Sequence, residues 1–326
     1  MKTKSDHVPS WVYFAAGAAM STASLVAYRA YLQDRAATLR ALKMGSRVIN
    51  TRRGLVEVAE YGSGEPVLVL HGTLGGYDQG LAIAEIFNGS NFRFIAISRP
   101  GYLRTPLDSG RSPLAQAALC EALLDELGIK RAMVIATSGS GPVGIQLASY
   151  FPEHCLGLVL LSSITRRPPP LPNGYRQIMA GPSTFLTHDF PWWLATRRGL
   201  KMMLLSNGAS RELIVEVLRD PQKVRILNAI YQTGATVSQR YPGVVNDTLQ
   251  LQNLPTYNLG QVSVPTMIVH STADRLAPYV DAKQTAKEIP DAQFLAVDDG
   301  GHMCYVTHQE IITPAVLDFI NQSIPD

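Results

Sequence analysis

The sequence predicts an α/β chain: a mostly parallel central sheet flanked by helices, with a helical insertion and an N-terminal hydrophobic helix ahead of it. Three observations carry this. The runs VLVL (67–70), FIAI (94–97), MVIA (133–136) and LVLL (158–161) are continuously apolar, as parallel strands covered on both faces must be. Such runs alternate with helix-length stretches, so helical crossovers join successive strands. Residues 164–262 break the alternation, because they contain no convincing buried strand.

The first 45 residues stand apart. Val8 to Tyr28 is 21 residues without Asp, Glu, Lys or Arg, about the length that crosses a hydrocarbon core. Trp11, Tyr13 and Phe14 lie at one end and Tyr28 and Tyr31 at the other, as at two membrane interfaces. Its centre, Ala15 to Ser24, is mostly Ala, Gly, Ser and Thr, which gain little from lipid. Beyond it, Tyr28, Tyr31/Leu32, Leu39 and Leu42 share a helical face, with Arg29, Arg35, Arg40 and Lys43 elsewhere, a pattern that suits an anionic membrane surface. The expectation is a single-pass anchor over residues 8–28, with the folded part on the cytoplasmic side where the Lys/Arg load is heavier. The alternatives are a cleaved signal, with Lys2 and Lys4 as its basic start, Ser21-Thr22-Ala23 before the cut and a secreted or periplasmic product, or a soluble Ala-rich helix.

Residues 46–163 and 263–326 supply the sheet. Strands are expected at Val48–Asn50, Leu55–Tyr61, Val67–Leu70, Phe92–Ser98, Met133–Thr137, Leu156–Leu161, Thr266–His270 and Gln293–Val297. The first two are close in sequence and alternate polar residues, so they are expected as an antiparallel hairpin at the sheet edge. Helices are expected at Asp78–Phe87, Pro113–Leu127, Gly141–Tyr150, Pro278–Ile289 and Gln309–Ile320. Residues 164–262 open with RRPPPLP, which cannot be regular structure, and continue with helical stretches at Trp192–Leu205 and Ser210–Leu218. They form a helical cap. An insertion over the C-terminal edge of a parallel sheet lies where such sheets bind ligands, so Trp192 and Trp193 are candidates to line a pocket.

Charge narrows the partners. Residues 1–53 carry a balance of +7 and the whole chain +3, which leaves −4 on residues 54–326. A mildly acidic folded part argues against nucleic acid, which selects a basic face. The three cysteines, Cys120, Cys155 and Cys304, share no metal-like spacing and are odd in number, so free, buried thiols are expected and no metal site.

Chemistry concentrates after the strands. Ser138 directly follows the buried run MVIAT and directly precedes the helical stretch GPVGIQLASYF. At such a corner the hydroxyl projects at the C-terminal edge of the sheet, and the Gly139 N–H points into the same space at a helix start. The corner is tight, so small residues are needed two before and two after the serine; Ala136 and Ser140 are small enough. A serine hydroxyl needs a base, and the base needs an orienting carboxylate. Asp274 lies just beyond the strand Thr266–His270, and His302 just beyond Gln293–Val297. Asp298 and Asp299 are rival acids on the His302 loop, and His270 reads as a packed core residue. Strand Val67–Leu70 runs into HGTLGG, whose Thr73 N–H, or that of Leu74, can stand beside Gly139 as a second donor to an oxyanion. Leu74 is also a candidate for substrate contact.

With these residues in place the sequence resembles the α/β-hydrolase superfamily, specifically its serine-nucleophile, cap-bearing esterases and lipases. The resemblance covers about residues 47–322 through VLVLHGTLGG, SRPGYLRTPL, MVIATSGSGPVGIQLASYFPEHCLGLVLLS, PTMIVHSTADRLAP and GGHMCYVTH. It implies Ser138 as nucleophile, Asp274 as acid, His302 as base, and Thr73 and Gly139 as oxyanion donors. The departures are Ala136 and Ser140 at the elbow, and Ser98 where relatives often carry Asp before Arg-Pro-Gly. RYPGVVND (240–247) is similar to a turn in some relatives and receives no role. The implied activity is hydrolysis of a small-molecule carboxylic ester with an apolar or lipid-like acyl group, with no metal or organic cofactor required. A C–C bond or amide hydrolase on the same residues, or a non-catalytic ligand-binding protein of this fold, are the alternatives.

Overall fold

The computed structural model describes residues 10–87, 91–168 and 187–324, with side chains from residue 24 onward except at 198. The chain forms two compact units, Met1–Lys43 and Met44–Asp326.

The first unit is a helix, α1 (Ser10–Met44), of 35 residues. No helix among the described residues is long and apolar enough to cross a membrane, and the anchor expected over residues 8–28 falls partly outside them. The length is there, but a charge-free stretch of Ala, Gly, Ser and Thr is not an apolar one. Val8 and Pro9, the Lys2 and Lys4 of the signal reading, and the side chains of Trp11, Tyr13 and Phe14 lie outside the description, as does the end of RRPPPLP.

The second unit is built on eight strands: β1 (Arg47–Thr51), β2 (Gly54–Gly62), β3 (Glu65–Leu70), β4 (Phe92–Ser98), β5 (Ala132–Thr137), β6 (Cys155–Leu161), β7 (Thr266–Ser271) and β8 (Gln293–Val297). Their order is β1-β2-β4-β3-β5-β6-β7-β8. β1 and β2 form the expected edge hairpin, β2 pairs antiparallel with β4, and every later pairing is parallel.

The apolar runs are continuous because alternate residues serve two cores. Val67, Val69, Phe94, Met133, Ile135, Val159, Leu161 and Val269 face one side, where α2 (Tyr77–Ala84) and α12 (Gln309–Ser323) pack. Leu68, Leu70, Ile95, Ile97, Val134, Leu158, Leu160 and Ile268 face the other, under α3 (Pro113–Glu126), α4 (Gly141–Tyr150) and α10 (Tyr279–Glu288). Each such Leu, Ile or Val contributes about 1.5–3 kcal/mol by leaving water.

Between β6 and β7 the insertion folds as α5 (Asp189–Arg198), α6 (Leu200–Ser206), α7 (Arg211–Val217), α8 (Pro221–Gln232) and α9 (Tyr241–Gln252). The expected helix Trp192–Leu205 is broken at Gly199, where a Cβ would stand 2.3 Å from the Ala195 carbonyl oxygen. α8 and α9 are new relative to the sequence reading. Asp220 caps α8 by accepting from the Gln222 and Lys223 N–H groups, and Pro221 suits its first turn. Leu204, Ile214, Val217, Ile226, Leu227 and Ile230 of the insertion join the same core as β3 and β7. Between β8 and α12, α11 (Cys304–Thr307) is a single turn.

Connectivity places the site. The chain leaves β3 for β4 on one side and later returns to β5 on the other. A crevice therefore opens between the C-terminal ends of β3 and β5, the switch point at which such sheets bind ligands.

Candidate active site

Ser138 sits in this crevice in a left-handed conformation, φ 52°, between extended Thr137 and the helical start of α4. A non-glycine residue held there is strained; its surroundings fix it. Its carbonyl accepts from the Ile164 N–H at 2.9 Å. The two departures from the usual elbow are accommodated. Ala136 meets Gly144, where an added Cβ would stand 2.9 Å from the Ala136 methyl, so the extra methyl is matched by a missing one. Ser140 is fully buried; its Oγ accepts from the Thr137 N–H at 2.9 Å and lies 2.9 Å from both the Leu70 and Thr137 carbonyl oxygens. That hydroxyl ties the elbow to the end of β3.

The histidine arrives on a loop that requires glycine. Gly300 and Gly301 have φ 92° and 55°, and a Cβ on Gly301 would lie 2.1 Å from the Asn207 carbonyl oxygen. The close approach lets that carbonyl accept the His302 N–H at 3.0 Å, so the insertion itself holds the histidine loop. His302 Nδ1 is 2.8 Å from Asp274 Oδ2, and Nε2 is 2.9 Å from Ser138 Oγ. The carboxylate can only accept, so Nδ1 donates to it and Nε2 is left to accept the serine proton. Asp274 Oδ1 accepts from the N–H groups of Leu276 and Ala277 at 2.8 and 3.0 Å. Burial pushes its carboxyl up, but the facing His302 and these hydrogen bonds outweigh that and hold it below the ordinary value.

The rivals are otherwise engaged. Asp299 Oδ1 accepts from the Ser210 and Gly300 N–H groups, and Asp298 is exposed. His270 is buried in β7 with Nε2 2.9 Å from the Ala277 carbonyl oxygen; burial holds it below the ordinary histidine value.

Across the crevice, Gly72 brings the loop after β3 against the serine: a Cβ there would stand 3.0 Å from Ser138 Cβ. A Cβ on Gly139 would stand 2.4 Å from Thr73 Oγ1 and 3.5 Å from the Thr73 nitrogen, so the Thr73 and Gly139 N–H groups flank one space. The Leu74 N–H faces the Tyr102 hydroxyl oxygen instead. His71 underlies the loop, its Nδ1 2.7 Å from the Gly72 carbonyl oxygen and its Nε2 accepting from the Arg99 N–H at 2.9 Å. Complete burial, reinforced by the Arg99 charge, holds it well below the ordinary histidine value.

Ser98 also finds a reason. It donates to buried Glu57 at 2.8 Å and accepts from the Tyr77 N–H at 3.1 Å. Glu57 on β2 supplies a carboxylate by reach from the next strand and receives Arg104 Nε at 2.6 Å.

A cavity of about 480 Å³ opens onto Ser138 and His302, of the size that takes small ligands. Its described walls carry no Lys, Arg, Asp or Glu: apolar Leu74, Trp192, Met203, Ile230, Leu276 and Met303 stand beside the uncharged polar groups of Thr73, Gln79, Ser206, Asn207, Tyr231, Thr233 and Tyr305. Trp192 lines it, but Trp193 does not; it stacks on Phe190 at 6.0 Å with Arg197 over its ring at 5.3 Å. The three cysteines are free and buried, and burial pushes each thiol up to about 12. Glu121, Asp125 and His154 lie close enough to share an ion, but the Arg52 guanidinium already pairs with both carboxylates.

The sequence reading gave no role to two ion pairs of buried arginines behind this crevice. Arg99 binds both oxygens of Asp247, and Arg240 both oxygens of Asp78. The RYPGVVND segment was the available signal.

Residues 65–309 match the family model described as the alpha/beta hydrolase fold. The chain is 27% identical over 277 residues to the uncharacterized hydrolase YcgS of Bacillus subtilis, covering 81% of this chain and 94% of that one. It is 24% identical over 301 residues to a 2-hydroxy-6-oxononadienedioate/2-hydroxy-6-oxononatrienedioate hydrolase of Paraburkholderia phymatum, covering 85% and 96%. Among solved structures, an alpha/beta hydrolase fold protein from Nakamurella multipartita superposes with a TM-score of 0.75 at 28% identity, covering 84% of this chain and 98% of that one. Esterases and meta-cleavage product hydrolases both stand among the further similar proteins.

Proposed function

Because the chain belongs to the alpha/beta hydrolase fold family, we propose that it is a serine hydrolase that cleaves a carboxylic ester with a neutral, apolar acyl group. The observation that carries the reading is the relay from Asp274 through His302 to Ser138 Oγ, 2.8 and 2.9 Å long, at the mouth of a neutral cavity. In the first half-reaction Ser138 Oγ bonds to the acyl carbon while His302 Nε2 takes its proton. The Thr73 and Gly139 N–H groups hold the resulting oxyanion. On collapse the carbon–oxygen bond to the leaving alkoxide breaks, and His302 returns the proton to it. Water then attacks the acyl-enzyme with His302 again as base, and the acid leaves.

The cavity walls favour an ester over a dioate. A substrate such as that in the name of the Paraburkholderia relative brings two carboxylates, and burying both of them on uncharged partners alone is expensive. The described lining offers neither Lys nor Arg.

The test is intact-mass labelling of the protein with a fluorophosphonate beside Ser138→Ala, followed by a panel of p-nitrophenyl esters and anionic dienoates. One adduct, absent from the variant, with turnover highest on uncharged apolar esters, is expected. No adduct on folded protein would point to ligand binding without turnover, and preference for the dienoates would move the assignment to carbon–carbon cleavage.

A further inference from the structure

Asp247 comes from α9, in the insertion, yet it ends behind the oxyanion space. Its Oδ2 accepts from Thr73 Oγ1 at 3.1 Å, from the Tyr102 hydroxyl at 2.7 Å and from Arg99 Nη2 at 2.5 Å, while Oδ1 takes Arg99 Nη1 at 2.9 Å. Oδ2 lies 3.6 Å from the point a Cβ on Gly139 would occupy. Arg99 is 1% exposed and Asp247 4%. Arg99 reaches on to the His71 carbonyl oxygen at 3.0 Å and Gln116 Oε1 at 3.2 Å. Immediately before α9, Arg240 holds the other end of the same loop, donating to the Gly75 carbonyl oxygen at 2.6 Å and to Asp78 Oδ1 and Oδ2 at 3.0 and 2.8 Å.

The arrangement poses an electrostatic problem. A carboxylate is a good clamp for the Thr73 hydroxyl, but a bare negative charge beside the Thr73 and Gly139 N–H groups opposes the oxyanion they serve. At about 6 Å and an effective dielectric near 20 the repulsion is worth roughly 100-fold in rate. A bidentate guanidinium on the far side of the same carboxylate cancels it.

We propose that Asp247 and Arg99 are positioning residues of the oxyanion site: Asp247 fixes Thr73 across from Gly139, and Arg99 neutralises the clamp so that it does not repel the transition state. The inference rests on the serine-hydrolase reading above. It differs from a merely structural role in the sign of the coupling between the two residues. If the pair only held the fold, removing both would hurt at least as much as removing either.

The experiment measures the fluorophosphonate labelling rate, and kcat and KM on an apolar p-nitrophenyl ester, for wild type, Arg99→Gln, Asp247→Asn and the double variant, with Tm for each. Arg99→Gln is expected to slow labelling and kcat by about 100-fold with KM little changed. The double variant is expected to regain at least about tenfold over Arg99→Gln. A double variant no faster than Arg99→Gln, or Arg99→Gln at the wild-type rate, overturns the proposal. Thr73→Val, which removes one hydroxyl and keeps the N–H, covers the case in which the charge variants fail to fold; it is expected to lower kcat about tenfold, and a wild-type kcat overturns the proposal equally. Wild-type protein inert to the label removes the serine-hydrolase reading and this proposal together, whereas a reactive wild type with unaltered variants removes this one alone.

Discussion

Gly139→Ala isolates the geometry of the oxyanion site. A Cβ at 139 would stand 2.4 Å from Thr73 Oγ1, and ordinary contact begins at about 3.4 Å, so one partner must move by about 1 Å. Thr73 cannot rotate freely, because its hydroxyl is held by Asp247 at 3.1 Å and its β-branched χ1 is stiff. The loop carrying the Thr73 N–H therefore shifts away. A donor that moves about 1 Å from its 2.7–3.1 Å working distance no longer makes a hydrogen bond of full strength, and loss of one oxyanion donor costs about 100- to 1,000-fold in kcat. Overpacking adds a stability loss of about 1–3 kcal/mol. The assay is kcat and KM on p-nitrophenyl esters with urea denaturation alongside. The expected result is a fall in kcat of at least about 100-fold with KM changed little. A kcat within about threefold of wild type would refute the placement of Thr73 and Gly139 as facing donors.

Three further outcomes follow from the same structure. His71 and His270 are buried with depressed pKa values, so their contribution to stability is complete above the unfolded value near 6.5 and is lost as pH falls below it; each costs up to about 1.4 kcal/mol at pH 5.5, and a urea midpoint unchanged between pH 7.5 and 5.5 would contradict this. Asp274, also depressed, acts in the same direction but in the window below about pH 4, and does not contribute to that interval. Ser140→Gly, which installs the usual elbow residue, leaves the Thr137 N–H without its 2.9 Å partner and should cost about 1–3 kcal/mol, seen as a lower Tm; an unchanged or higher Tm would refute the role given to that hydroxyl. Trp192→Ala opens the cavity wall opposite Gly234, whose added Cβ would lie 3.2 Å from the indole, so the preferred acyl length should increase in an ester panel, and an unshifted profile would remove Trp192 from the acyl site.

What was legible in the sequence depended on whether the signal was local. The central strands could be read because a strand buried on both faces is apolar over most of its length, as the runs 67–70, 94–97, 133–136 and 158–161 in β3 to β6 are, while β1 and β2 showed instead the alternation of an edge hairpin. Ser138, Asp274 and His302 could be read because each stands just past a strand, so one parallel sheet brings them to one edge however far apart they lie in the chain. The Arg99–Asp247 pair could not, since its members are 148 residues apart and one lies in a helix whose partner no periodicity reveals. Trp192 and Trp193 were inseparable for a related reason: neighbours on a helix point about 100° apart, and only the packing of α5 decides which faces the cavity. α8 was within reach, since Asp220-Pro221 is a cap followed by a favoured first residue and Leu227, Ile230 and Tyr231 follow at helical spacing.

The position of the insertion's contacts changes how the site is held. The elbow is held by β5, α4, the end of β3 and the first residue of the insertion, Ile164, whose N–H donates to the Ser138 carbonyl. The other two loops are finished by the insertion: the Asn207 carbonyl takes the His302 N–H, and Arg240 and Asp247 grip the 71–78 loop at both ends. These are buried contacts, and each arginine would be left as an unpaired buried charge without its carboxylate, a loss of about 3–5 kcal/mol. An insertion that only covered substrate would have no need of them. On the proposed reading the base and the second oxyanion donor thus depend on α6 and α9 for their placement, while Ser138 is met by the insertion only through Ile164 among the described hydrogen bonds. Deleting residues 165–262 is therefore expected to leave Ser138 on its turn with neither His302 nor the 71–78 loop held against it, so that on the proposed reading the same helices set both substrate selection and catalytic geometry.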